Sequence, residues 1–149
     1  MKKLCAVLIL GTLVACGGGG SSSPTTPAPA PTPAPVTYNG TYTGTSMTYT
    51  GGGGQLIITA NTTIIQTGSN LSFSDMRVTS PISLSYGMGA ATLTNNTFDG
   101  TNVYSSSGCG TISNHYRGYF SSDGGIMNMT MTLTSKACGD TDIRGEMRR

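Results

Sequence analysis

Few residues in this chain are equipped for chemistry. There is one histidine, His115, with six carboxylates and four cysteines, Cys5, Cys16, Cys109 and Cys138. A thiol can be acylated, oxidised or bound to a metal, and its place in the chain decides which. Met127-Asn128-Met129-Thr130-Met131 sets three thioethers at a spacing of two, and thioethers are soft ligands suited to Cu(I). On a strand such residues stand about 6.6–6.8 Å apart, so three sulfurs meet at one ion only by bending inward. The same spacing makes the apolar face of a core strand, where methionine fills irregular gaps. The core strand is the simpler reading, and no metal is assigned.

His115 falls in the run Thr111–Phe120, on the face of Ser113, Arg117 and Tyr119. A general acid or base needs an oriented partner within hydrogen-bond reach, and no motif supplies one. His115 therefore reads as a solvated surface residue. Asp140-Thr141-Asp142 could offer oxygens to Ca²⁺, but that ion takes six to eight, and the EF-hand spacing is absent. The two aspartates read as turn formers. No Gly-Lys-Ser/Thr follows Gly51–Gly54, so this run is not a phosphate loop. No catalytic residue and no cofactor is assigned, and the expected activity is binding, not enzymatic turnover.

The cysteines separate once the segments that carry them are read. Met1-Lys2-Lys3 precedes a largely apolar stretch from Leu4 to Ala15. This is the n-region and h-region of an export signal, too short for the roughly 20 apolar residues of a spanning helix. It ends in Leu13-Val14-Ala15-Cys16, which resembles the lipobox of bacterial lipoproteins. That resemblance implies cleavage after Ala15, loss of Cys5, and a lipidated Cys16 as the first mature residue. With two or more acyl chains, at about 0.8 kcal/mol per buried CH₂, the anchor is stable without any spanning segment. Gly17, where an aspartate would signal retention in the inner membrane, implies the outer membrane. Loss of Lys2 and Lys3 leaves six basic residues against six acidic ones. A neutral mature chain without a basic stripe argues against nucleic acid as a partner.

Residues 16–35 follow as lipidated cysteine and linker. Gly17–Ser23 is glycine and serine, and Pro24–Pro35 is proline, alanine and threonine, a flexible coil leading into extended polyproline II. From Val36 the composition changes to threonine, tyrosine, isoleucine and methionine, and residues 36–149 are long enough for one core. Glycine, asparagine and serine clusters punctuate this part every 8–12 residues or so, the all-β pattern. Expected strands are Tyr38–Tyr49, Gln55–Gln66 (whole or broken near Asn61), Leu71–Val78, Ala91–Thr94, Thr97–Tyr104, Thr111–Phe120, Ile126–Thr134 and Asp142–Arg148. Pro81–Ala90 is ambiguous. Met127, Met129, Met131 and Leu133 alternate with Asn128, Thr130, Thr132 and Thr134, so one face is dry and one wet. About eight such strands fit a small antiparallel up-and-down β-barrel, with a two-sheet β-sandwich as the alternative.

Tyr38-Asn39-Gly40-Thr41-Tyr42-Thr43-Gly44-Thr45 resembles the opening strand of small lipocalin-like lipoprotein domains. Ile65-Gln66-Thr67-Gly68-Ser69-Asn70-Leu71-Ser72 is similar to their Q-x-G-x-x-L hairpin. The resemblance implies a barrel and leaves the activity open. Cys109 precedes the strand 111–120 and Cys138 follows the strand 126–134, so a hairpin of these two puts both cysteines at its open end. An exported protein is in a compartment that permits disulfides, and a Cys109–Cys138 bond is expected; a metal pair or a reactive thiol has no ligand nearby to support it. Two roles stay open. Either the interior carries a small apolar ligand, or a filled barrel meets an envelope protein or inhibits a secreted hydrolase.

Overall fold

A computed structural model describes residues 34–149. The expected signal segment 1–15 with Cys5, the expected lipidation residue Cys16, and the expected linker as far as residue 33 lie outside the described residues. Ten strands follow in order: β1 (Gly40–Gly51), β2 (Gly54–Thr67), β3 (Asn70–Phe73), β4 (Met76–Ser80), β5 (Leu84–Tyr86), β6 (Ala90–Thr94), β7 (Thr97–Ser106), β8 (Gly110–Phe120), β9 (Ile126–Ser135) and β10 (Thr141–Arg148). Sheet order runs β1-β10-β9-β8-β7-β6-β3-β2, and β2 pairs again with β1. The result is a closed eight-stranded antiparallel barrel and not a sandwich. Closure pairs most of the edge that a threonine-rich sheet would otherwise present, leaving β5 and the part of β7 beyond Gly100 unpaired with each other.

β4 and β5 are the two additional strands, and they prolong β3 and β6. Asn70 pairs with Thr92 and Val78 with Leu84 in one continuous register. Against β2 the register slips by one residue, since Ile64 faces Phe73 while Asn61 faces Arg77. Ser74 absorbs the slip: its carbonyl accepts from the Thr62 hydroxyl at 2.8 Å, and its own hydroxyl oxygen accepts from Thr63 N–H at 2.8 Å. The expected strand Leu71–Val78 is therefore two strands. Gln55–Gln66 is one strand without a break at Asn61, and the ambiguous segment holds a cis Ser80–Pro81 turn followed by β5. β1 carries a bulge between Gly44 and Met47, in the stretch where its glycines point to a curved sheet.

Period-two alternation places the core. Ile58, Ala60, Thr62 and Ile64 of β2 point inward, as do Ile112, Asn114, Tyr116 and Phe120 of β8. Met127, Met129 and Met131 are buried, as the core-strand reading requires. The two ends of the barrel are filled differently. At one end Tyr38 stacks on Phe120 with centroids 4.2 Å apart, and Phe98, Phe73 and Tyr116 continue the cluster. Arg149 Nη1 donates to the carbonyls of Thr37 and Asn39 across this end. The opposite end carries the Gly52-Gly53 turn, the Pro81 turn and the two turns that hold the cysteines.

Candidate binding site

The disulfide joins Cys109 in the β7–β8 turn to Cys138 in the β9–β10 turn, with Cα atoms 5.2 Å apart. Ser135 organises this rim. Its hydroxyl donates to the Cys109 carbonyl at 2.9 Å, and its oxygen accepts from Cys138 N–H at 3.1 Å. The Ser135 hydroxyl thereby pairs the Cys109 carbonyl with the Cys138 N–H and ties the two turns together beside the bond.

Beneath the rim the barrel is open. A cavity of about 330 Å³ is lined by Tyr49, Tyr86, Tyr104, Leu84, Ile112, Leu133 and the disulfide, with hydroxyls from Ser85, Ser106, Ser135 and Thr141. No lysine, arginine, histidine or carboxylate lines it. Its volume is at the lower end of the roughly 300–1,000 Å³ of small-molecule pockets. Burial, reinforced by the neighbouring Tyr49 hydroxyl, pushes Tyr86 well above the ordinary phenol range. Burial also raises Tyr104. The walls are thus neutral at any physiological pH. They offer apolar faces and hydroxyls, the chemistry that holds an uncharged molecule with one or two hydrogen-bonding atoms.

Next to the cavity, beyond Tyr86 and Tyr104, the sheet departs from regularity. β7 pairs with β6 only from Thr97 to Gly100, and β5 pairs with β4 but not with β7. Between β5 and β6 the backbone carbonyls are instead met by side chains pointing into the barrel. Asn102 Nδ2 donates to the Met88 carbonyl at 2.8 Å, Asn114 Nδ2 to Gly87 at 2.8 Å, and Tyr116 Oη to Ala90 at 2.9 Å. These bonds hold residues 87–90 close against β7 and β8 where the ladder lapses. Gly87 permits this, because an added Cβ would meet the Tyr104 ring at 2.8 Å. Tyr104 Oη and Asn114 Oδ1 are buried there without a hydrogen-bond partner of full geometry.

The other residues raised by the sequence lie elsewhere. His115 is exposed on the outer face of β8, and its Nε2 lies 3.1 Å from Asp99 of β7, itself exposed. Asp99 is a partner the sequence motifs do not reveal, since it reaches His115 only through the β7–β8 register. Asp142 accepts a hydrogen bond from the Thr132 hydroxyl at 2.7 Å, and Asp140 is exposed in the turn. Among the described residues no three His, Cys, Asp or Glu side chains gather as metal ligands would. The methionines pack the core, and the cavity takes its lining from tyrosines, leucines, one isoleucine and hydroxyls. Comparison with protein-family models, with curated proteins and with solved structures finds no match to this chain.

Proposed function

We propose that the protein is a lipid-anchored lipoprotein of the bacterial envelope, held at the outer membrane through Cys16, and that its barrel carries one small, uncharged, largely apolar ligand. The observation that supports this reading is the neutral cavity of about 330 Å³ under the disulfide rim. A completely filled barrel with a continuous apolar patch would have favoured the partner or inhibitor role. The exposed large apolar residues are spread over the described surface instead: Val36 ahead of β1, Leu56, Ile57 and Ile65 on β2, Leu84 on β5, Val103 on β7 and Tyr119 on β8. The lipobox, the linker and the neutral mature charge support the anchored, exported half of the reading.

Native mass spectrometry of residues 36–149, exported and purified without reductant, tests the carrier role. A retained mass lost on activation, or capture of the neutral fluorophore N-phenyl-1-naphthylamine, is the expected result. An empty protein that also fails to bind the fluorophore refutes it. Anchoring is tested separately. Cys16→Ala should abolish incorporation of radiolabelled lipid, and lipid still attached in that variant would refute the lipobox reading.

A further inference from the structure

We propose that the outer face of the barrel, over β8, β9, β10 and β1, holds a second site, for an anionic sugar: a saccharide ring carrying a phosphate or a carboxylate. The site is built by a row of residues that point the other way. Met129 pairs with Gly118 on one side and Gly145 on the other, all three facing inward. With no side chains at 118 and 145, the sheet closes down over Met129. An added Cβ at Gly118 would fall on the Asn128 carbonyl oxygen, and one at Gly145 would lie 3.0 Å from the Met47 Cα. The outside of this constriction is a hollow of about 540 Å³.

Two outward register rows supply the chemistry. In one, Asp99, Arg117, Thr130, Arg144 and Thr48 succeed each other across five strands. Strands lie about 4.8 Å apart, so the two arginines rise roughly 10 Å from each other on either side of Thr130, close enough for both to reach one anion. In the next row Tyr119 and Asn128 sit side by side. Tyr119 is 52% exposed, and Asn128, Thr130 and Thr48 are half-buried.

Two acids flank these rows: Asp99 stands beside Arg117 and Glu146 beside Asn128. Each has its own partner, since Asp99 contacts His115 and Glu146 pairs with Arg148 at 2.6 Å, while Asp142 takes the Thr132 hydroxyl. Among the described residues neither Arg117 nor Arg144 forms an ion pair. Two free guanidiniums suit a doubly contacted oxyanion. A phenol face and small amide and hydroxyl groups between them suit a sugar ring and its hydroxyls. With Asp99 and Glu146 flanking the two arginines, the site suits one compact anion better than an extended polyanion such as a membrane surface or a nucleic acid.

The experiment is a titration of the full ¹⁵N-labelled chain, kept in a detergent without sugar, followed by amide NMR. The probes are glucose 1-phosphate and glucuronate, with glucose and inorganic phosphate as controls. Both anionic sugars should shift the amides of Gly118, Asn128, Thr130 and Gly145 saturably. Arg117→Gln and Arg144→Gln, each shown to keep the wild-type Tm, should each weaken binding roughly tenfold or more. Tyr119→Ala should erase the preference for sugar phosphate over inorganic phosphate. Absence of these shifts at millimolar probe overturns the site, as does unchanged affinity when both arginines are replaced. Equal binding of glucose overturns the role of charge, and equal binding of inorganic phosphate overturns the role of the ring.

Discussion

The buried hydroxyl of Tyr42 donates to the carbonyl of Gly124, 82 residues away, over 2.7 Å. This bond ties β1 to the β8–β9 turn and seals the aromatic end, where the Tyr42 ring also packs at 5.7 Å from Phe120. Tyr42→Phe keeps the ring and removes the donor. The Gly124 carbonyl then stays buried without this partner, at a cost of about 1–2 kcal/mol. Urea unfolding should show a lower midpoint with an unchanged slope.

Burial raises four tyrosines above the ordinary value of 10.0: Tyr42, Tyr86, Tyr104 and Tyr116. In the unfolded chain these hydroxyls ionise near pH 10, while in the barrel they keep their protons longer. The unfolded state then binds fewer protons than the native one, so stability falls as pH rises. The contribution is complete below the unfolded value and is lost as pH climbs through the native values. Denaturant titrations should show a plateau up to about pH 9.5 and a steady decline above it. Absorbance of the native protein should show these four of the chain's seven tyrosines ionising only at higher pH or on unfolding. Seven simultaneous ionisations near pH 10 in a still-folded protein would contradict the burial argument.

Gly118 has the least room of the glycines in the barrel wall. Its missing Cβ direction points at the Asn128 carbonyl oxygen and at Phe98. Neither the paired backbone nor a ring packed among Phe73 and Phe120 can retreat cheaply. Gly118→Ala should therefore cost more than about 3 kcal/mol. Gly52→Ala meets nothing within 4 Å and is strained only by its φ of +58°, so it should cost about 1–2 kcal/mol. Thermal unfolding of the two variants side by side checks the ranking.

The barrel was legible in the sequence because its signals are local. Alternation in 126–134 and 111–120 gives two-faced strands, and glycine-rich and Asp-Gly turns separate them. The Cys109–Cys138 pairing followed from the same hairpin. The cavity was not legible, because its lining comes together only through the pairing of strands distant in sequence. Nor was the lapse beside it: Gly87, Met88 and Gly89 leave the ladder, Asn102 of β7 and Asn114 of β8 capture the Met88 and Gly87 carbonyls, and Tyr116 captures that of Ala90. Only the register that sets Asn102 beside Asn114 shows the two amides side by side on the inner face of the barrel. The outer hollow escaped for a similar reason: Arg117 and Arg144 are far apart in sequence and share a row only through β9.

The disulfide closes a segment with a separation of 29 residues, worth about 3–4 kcal/mol in the chain-entropy model. Replacing both cysteines by alanine should lower stability by up to that amount while the strands persist in far-ultraviolet circular dichroism. Because both cysteines also line the cavity, the variant should bind N-phenyl-1-naphthylamine more weakly at temperatures where it remains folded. Full affinity in a destabilised variant would show that the rim contributes to folding alone.

Ser106 gives the sharpest test of the cavity itself. It lies at the end of β7, half-buried, facing the open half of the barrel. Beyond Gly100, β7 has no strand on its β5 side, so a larger side chain at 106 can enter the cavity without breaking a ladder there. Ser106→Phe adds roughly 100 Å³ of side chain to a space at the lower limit for a small molecule. It should abolish fluorophore capture and any retained mass, with Tm changed by no more than a few degrees. Tyr86→Phe should leave capture of the apolar fluorophore intact, since it removes only a hydroxyl, and should weaken a ligand that hydrogen-bonds there by about 1 kcal/mol. Unchanged fluorophore binding in Ser106→Phe would place the apolar ligand outside the barrel.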